Sequence, residues 1–351
     1  MATTSTPTRI YRWDLDKTYL RTDFDSLRAL LKTAFEAAED KQTVPGAATL
    51  LRELRAPAAD GAVARVCFIS GSPRQMRKVL TEKLRLDGIE FDEFILKNNL
   101  RNMLTGRFRA MREQVGYKLP ALLSGRSGVP PQTREVCFGD DAESDALIYS
   151  MYGDLLLGVV DEGTLHQVLD AAGVYPDDAL RTLGLWAALP RGEAVDRILI
   201  HLDRRSPPGR FDKYGPRLVP VYNYFQAALV LYQDRHLGPA SVLRVAIEMV
   251  DKHDYAVDAL HNSLHDLLRR GRLRLDTVEE LGALALAAQQ GGGLPPLGER
   301  KSSREAILAL AQGQRDALRV SAAIGERAAP PAGAIDYLRA LEEDLPRRKR
   351  R

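Results

Sequence analysis

The sequence predicts an α/β fold, a doubly wound parallel sheet followed by a C-terminal all-α domain. Apolar strand-like runs alternate with helical runs up to about residue 153, the pattern of parallel βαβ crossovers. Three of those runs end in residues that carry chemistry: Asp14 and Asp16, Ser70, and Asp140 and Asp141. In open parallel sheets ligands gather at the carboxyl ends of strands, near the point where the strand order reverses. Beyond residue 155 the periodic runs are nearly all helical in spacing.

The elements follow in order. "RIYRWDL" is the first strand. "DSLRALLKTAFEAAED" has apolar residues at helical spacing, and Asp25 or Ser26 can cap it. "VPGAATLLRELR" is a second helix with Pro45 near its start. "ARVCFIS" is a short strand that ends at Ser70-Gly71-Ser72-Pro73, a strand-to-turn signal, and the helix "RQMRKVLTEKLRL" follows. "FDEFILK" is a further strand, and the stretch around "NNLRNMLTGRF" is irregular. A helix beginning near Lys118 precedes "REVCFGDDAESDALIYSMYG", which reads as strand, acidic loop and helix.

Seven helical runs follow, from "EGTLHQVLDAAG" through "SREAILALAQGQRDALRVSAAIGE" to "AIDYLRALEEDL", separated by Gly- and Pro-rich loops. "RILIHL" is ambiguous between helix and strand. The predicted division is an α/β domain over 8–153, a helical domain over 155–345 and a basic, disordered tail over 346–351. The chain of 351 residues is long enough for two cores, and 45% hydrophobic and 28% charged residues are ordinary for a globular protein. A net charge of +3 gives no global reason to expect nucleic acid as a partner. No apolar run is long enough to span a bilayer and the N-terminus lacks an apolar signal core, so the expected location is cytoplasmic. Cys67 and Cys137 each lie inside an apolar run and read as buried structural thiols.

Asp14 and Asp16 stand two positions apart and point the same way where the chain is still extended. Paired carboxylates of this kind suit Mg²⁺, a hard ion that takes oxygen ligands and keeps several waters. One carboxylate beside the ion can attack phosphorus, and its neighbour can protonate the leaving oxygen and later activate water. Asp140 and Asp141 would add oxygens opposite Asp14, with Gly139 permitting a sharp turn and Asp145 one helical turn on. Ser70 and nearby N–H groups, including that of Gly71, suit a phosphate, and Lys118 can offset charge on a transferring phosphoryl group.

In order and context, these segments resemble the motifs of the haloacid dehalogenase-like superfamily of phosphohydrolases and phosphotransferases. The first motif resembles Asp14-Leu15-Asp16-Lys17-Thr18 and the second Ser70 closing "VCFIS". The third resembles Lys118 in "GYKLPALL", and the fourth "GDDAESD". The resemblance implies a Rossmann-like sheet, Asp14 as nucleophile and Asp16 as general acid and base. It implies Mg²⁺ held by Asp14, the carbonyl of Asp16 and Asp140, supported by Asp141 or Asp145, with Thr18, Ser70, Gly71 and Lys118 around the phosphoryl group. Within the superfamily, "FISGSPRQM", "YKLPALL" and "FGDDAESDALIY" look like the phosphatidate phosphatase catalytic domain of actin-patch-associated proteins and bacterial relatives. Those relatives carry a denser acidic first motif, so the substrate is a phosphorylated compound of open class, a lipid phosphate among the candidates. The short stretches between motifs imply a minimal cap.

The helical half carries fewer signals. Phe211, Tyr214, Tyr222, Tyr224 and Phe225 read as helix-packing aromatics; the alternative is a groove edged by Arg210, Lys213 and Arg217. His261 and His265 share a helix face at i, i+4 but lack the intervening glutamate of a metalloprotease, and read as ordinary histidines. The expected function is therefore an Mg²⁺-dependent phosphate monoester hydrolase. The alternatives are a non-catalytic scaffold whose helical half recruits a partner, and a phosphotransferase.

Overall fold

A computed structural model describes residues 9–21, 42–56, 61–97, 107–289, 316 and 333–344. The helix expected over 25–40, most of the irregular stretch at 98–108, the helix expected over 303–326 apart from Asp316, and the basic tail lie outside the described residues. The chain divides into two compact units, one of Met1–Gln42, Gly61–Pro220 and Ala332–Arg351, the other of Thr43–Asp60 and Val221–Pro331.

The first unit is organised by a six-stranded sheet. Its strands are β1 (Arg9–Asp14), β2 (Ala64–Pro73), β3 (Glu93–Lys97), β4 (Arg134–Asp140), β5 (Val195–His201) and β6 (Leu218–Val221), in the order β3-β2-β1-β4-β5-β6. β1 pairs in parallel with β2 and with β4, and the β2/β3 and β4/β5 pairs are parallel too. The order reverses between β1 and β4, so the carboxyl ends of those two strands flank the switch point. β5 and β6 correct the expectation of an all-helical second half: "RILIHL" is a strand, and the unit holding the sheet continues to Pro220 rather than ending at 153. Ile198, Leu199 and Ile200 are consecutive and all buried, as expected of a strand covered on both faces, and such an apolar run has no two-residue alternation to announce it.

Alternation along β1 sets the two faces of the sheet. Trp13 faces one side, stacked on Phe138 with ring centroids 3.9 Å apart. Arg12 faces the other and, like Glu135 of β4, is fully buried. The Glu135 carboxylate accepts from Arg12 Nε at 2.5 Å, from Arg126 Nη1 at 2.8 Å and from the Tyr152 hydroxyl at 3.0 Å. Burial alone would raise the Glu135 pKa, but the two guanidiniums outweigh it and hold it below the usual carboxylate range. On this face an apolar core joins the sheet to α3 (Arg107–Arg126), α4 (Asp145–Leu157), α5 (Glu162–Ala171) and α11 (Tyr337–Asp344), numbering the helices along the chain.

α1 (Ala47–Arg55) belongs to the second unit and α2 (Arg77–Leu86) to the first, as does α6 (Pro176–Ala188), which was not expected from the sequence. The second unit contains α7 (Tyr224–Gln233), α8 (Pro239–His253), α9 (Val257–Arg269) and α10 (Leu275–Gln289). α7 begins at Asn223, whose side chain accepts from the Gln226 N–H at 3.0 Å and donates to Ser263 Oγ at 2.8 Å. The aromatic cluster reads as packing: Phe211, Tyr214, Tyr224 and Phe225 are buried, and only Tyr222 is exposed. The flanking cations are pinned, Arg210 and Lys213 to Asp344 and Arg217 to Asp154. Both cysteines are buried and free, as the sequence predicts. No helix among the described residues is long and apolar enough to cross a membrane.

Candidate active site

The carboxyl ends of β1, β2 and β4 converge on one acidic cluster. Asp14 closes β1, and Asp140 closes β4 beside it. Ligand oxygens of Asp14, Asp140, Glu143 and Asp145 all lie within 4.8 Å of one another. Lys118 reaches this cluster from α3 and is fully buried. Its ammonium is 2.8 Å from Asp14 Oδ1, 2.9 Å from Glu143 Oε2 and 2.5 Å from Asp145 Oδ1.

Lys118 stands well inside α3 and does not begin a helix, which corrects the sequence reading. Gly116 and Pro120 look like helix breakers, yet the helix runs through both. Gly116 is there for space, since a Cβ would meet Val174 at 3.2 Å. Mid-helix placement fixes the lysine's stem in the core, so its charge is held at one point.

Gly139 also differs from expectation. It serves close approach rather than a turn: a Cβ there would lie 2.5 Å from both Cβ and Oδ2 of Asp145. Asp145 is the first residue of α4, and its Oδ2 accepts the Asp140 N–H at 3.2 Å. Asp140 Oδ1 in turn accepts from the N–H groups of Ala142 and Glu143, which folds the acidic loop back over the strand end.

The loop after β1 is equally compact. The Tyr19 and Leu20 N–H groups both donate to Leu15 O, at 3.0 and 2.9 Å, and Lys17 adopts a left-handed φ of 60°. The Thr18 hydroxyl faces Asp14 Oδ2 at 3.4 Å. Asp16 Oδ2 accepts from Ser70 Oγ and Ser72 Oγ, both at 2.9 Å. Ser70 therefore holds Asp16 in this state, while Gly71 beside it borders open space.

Asp141 is not part of the cluster. Its Oδ1 accepts from the Arg204 N–H at 2.8 Å and its Oδ2 from the Ser206 N–H at 3.0 Å, so it ties the turn after β5 to the strand end. Glu143 takes a place in the cluster that the sequence reading gave to Asp141. Glu143 and Ser72 were both missed; an acid three residues after Asp140 and a second serine in Ser-Gly-Ser were the only signals.

The cluster is electrostatically unbalanced. Four carboxylates face one ammonium, a formal excess of three negative charges in a buried space. Burial pushes the pKa of Asp14, Asp140 and Asp145 above the usual range, and mutual repulsion adds to it. Burial also disfavours the Lys118 charge, but Asp14, Asp145 and Glu143 outweigh it and raise its pKa. Asp16 is raised by burial and by Glu143, with the Ser72 and Ser70 hydrogen bonds opposing. Asp140 Oδ2 is buried and has no hydrogen-bond partner among the described residues. An unpaired carboxylate oxygen in an over-acidic pocket fits a hard divalent cation, so the donor set passes the chemical test for one.

Comparison with known proteins bears on the same residues. The family model described as phosphatidate phosphatase APP1, catalytic domain, matches residues 13–154. That stretch contains every residue of the cluster, and the match implies phosphatase activity. No curated protein and no solved structure matches the chain. What the comparisons support is thus a likeness of residues 13–154, with the acidic cluster inside it, to the catalytic domain of a phosphatidate phosphatase.

Proposed function

We propose that the chain is an Mg²⁺-dependent phosphohydrolase of the haloacid dehalogenase type that works through an aspartyl-phosphate on Asp14. The observation that carries this reading is the convergence of Asp14, Asp140, Glu143 and Asp145 at the sheet's switch point, with the Lys118 ammonium against Asp14, Glu143 and Asp145. Asp14, Asp140 and the backbone carbonyl of Asp16 would hold the cation, which when bound supplies positive charge against the phosphoryl oxygens.

The chain's own groups account for the remaining steps. An Asp14 oxygen attacks phosphorus in line, and the bond from phosphorus to the leaving oxygen breaks. Asp16, whose raised pKa favours the protonated form, gives its proton to that oxygen. A water then attacks the acyl-phosphate, Asp16 recovers a proton from it, and inorganic phosphate leaves with the Asp14 carboxylate restored. Lys118 neutralises charge throughout, and its burial makes that contribution larger than it would be in water. Ser70 and Ser72 hold Asp16 in place between steps.

The family match favours a lipid phosphate such as phosphatidate over a small soluble ester. The test is phosphate release from phosphatidate in mixed micelles and from an aryl phosphate, with and without Mg²⁺. The expected result is Mg²⁺-dependent release that Asp14→Asn abolishes while the circular dichroism spectrum is retained. Release by Asp14→Asn at the wild-type rate would overturn the nucleophile assignment. Transfer to an added alcohol in place of water would identify a phosphotransferase.

A further inference from the structure

The fifth strand ends beside the acidic cluster, on a histidine that the catalytic steps above do not use. His201 is the last residue of β5 and stands opposite Asp140, the last residue of β4. It lies outside residues 13–154, beyond the reach of the family match. Its ring meets the loop after β1, with Nδ1 3.0 Å from the Lys17 carbonyl oxygen. A carbonyl oxygen only accepts, so Nδ1 carries a hydrogen and donates, whatever the charge on the ring. β4 separates β5 from β1 in the sheet, so this bond bridges the end of the strand that carries Asp140. His201 and Lys17 belong to the same compact unit.

Lys17 is a residue that needs holding. Its φ of 60° is left-handed, where a Cβ crowds the following carbonyl oxygen, and such a conformation persists only when its surroundings enforce it. Two bonds hold the peptide units on either side. The Lys17 N–H donates to Leu20 O at 2.8 Å, and because a peptide is planar this bond also aims the Asp16 carbonyl, a proposed ligand of the cation. The His201 bond fixes the next plane, that of the Lys17–Thr18 peptide. Thr18 leaves from that plane, and its hydroxyl faces Asp14 Oδ2 at 3.4 Å.

The backbone of His201 holds the second loop of the site. Its carbonyl accepts the Asp141 N–H at 3.0 Å, one residue past Asp140. One residue is thus bonded through its ring to the loop that carries Asp16, and through its backbone to the loop that carries Glu143.

We propose that His201 is a positioning residue for the phosphoryl transfer described above, an inference that rests on that reaction. Its Nδ1–H clamps the Lys17 carbonyl and keeps the Asp14–Thr18 loop in register with the Asp140 strand end. The ring acts through the loop and not on the substrate.

The experiment compares wild type with His201→Asn, His201→Gln and His201→Leu, all of which keep the backbone bond. The Asn amide nitrogen stands as many bonds from the backbone as Nδ1 does, the Gln amide stands one bond further out, and Leu has no donor. Hydrogen exchange read by mass spectrometry over 15–20 reports the clamp without any need for activity. His201→Leu and His201→Gln should exchange the Lys17, Tyr19 and Leu20 N–H groups faster by up to about tenfold, and His201→Asn should keep wild-type protection. In Mg²⁺-dependent phosphate release, kcat should fall by about tenfold in His201→Leu and His201→Gln, with KM little changed, and recover in His201→Asn. Wild-type exchange and kcat in His201→Leu overturn the clamp, and so do equal losses in His201→Leu and His201→Asn, which would make the ring a filler. His201 is partly exposed, so His201→Gln against His201→Asn decides in the same terms where His201→Leu fails to fold. A wild type that releases no phosphate, with exchange in the predicted order, leaves the clamp standing and removes the phosphatase reading instead.

Discussion

Gly139→Ala should disable the site by adding one methyl group. The new Cβ would stand 2.5 Å from Asp145 Cβ and Oδ2 and 2.8 Å from its Cγ, where ordinary contacts begin near about 3.4 Å. Asp145 must therefore retreat by about 1 Å. It is fully buried at the first residue of α4, so rotation into solvent is closed to it. Retreat stretches two interactions, the one to the Asp140 N–H and the one to the Lys118 ammonium. Overpacking costs about 1–3 kcal/mol, and weakening a charge-assisted hydrogen bond adds about 1.5–3 kcal/mol, so a loss of roughly 2–5 kcal/mol is expected. Because Lys118 is positioned in part by Asp145, turnover should fall by about 10²-fold even in the molecules that remain folded. Urea melts read the first effect, and Mg²⁺-dependent phosphate release read below the melt reads the second. Gly184→Ala is the control, because its Cβ meets nothing within 4 Å and it lies inside α6, so it should stabilise by about 0.5–1 kcal/mol. Wild-type stability and rate in Gly139→Ala would refute the claim that Asp145 is held against the β4 strand end.

Glu135→Gln should destabilise by about 3–5 kcal/mol, because it leaves the Arg12 and Arg126 guanidiniums buried without a counter-charge. The Glu135 pKa is depressed in the folded state, so its contribution is complete above the unfolded value of 4.5 and is lost as pH falls through the lower folded value. Urea melts from pH 7 to pH 3 should show that acid loss in the wild type and less of it in Glu135→Gln. Ser72→Ala removes one of two hydroxyl donors that hold Asp16, and an ordinary hydrogen bond is worth about 0.5–1.5 kcal/mol. It should lower kcat by up to about tenfold while KM changes little, and an unchanged kcat would show that Ser70 alone suffices.

The parts of this account that the sequence carried are those written into strand ends. An apolar run followed by Asp14 or by Gly139-Asp140 is a local pattern, and the parallel pairing of β1 with β2 and β4 puts those ends side by side. Lys118 was legible as a site residue but not as a mid-helix one, because Gly116 and Pro120 signal a break that packing of the surrounding leucines overrides. β5 and β6 were obscured because a strand buried on both faces lacks alternation, and Pro220 inside a four-residue strand argues against one. Glu143 joins the cluster because the loop folds back, its N–H donating to the Asp140 carboxylate, a contact that the sequence does not spell out.

The most direct test of the catalytic proposal is calorimetric titration of Mg²⁺ into wild type and Asp140→Asn, with phosphate release followed in parallel. The account predicts uptake of Mg²⁺ by the wild type that is lost, together with turnover, when the unpaired Asp140 oxygen becomes an amide. Turnover by Asp140→Asn at the wild-type rate, or turnover by the wild type with Mg²⁺ chelated away, would contradict it.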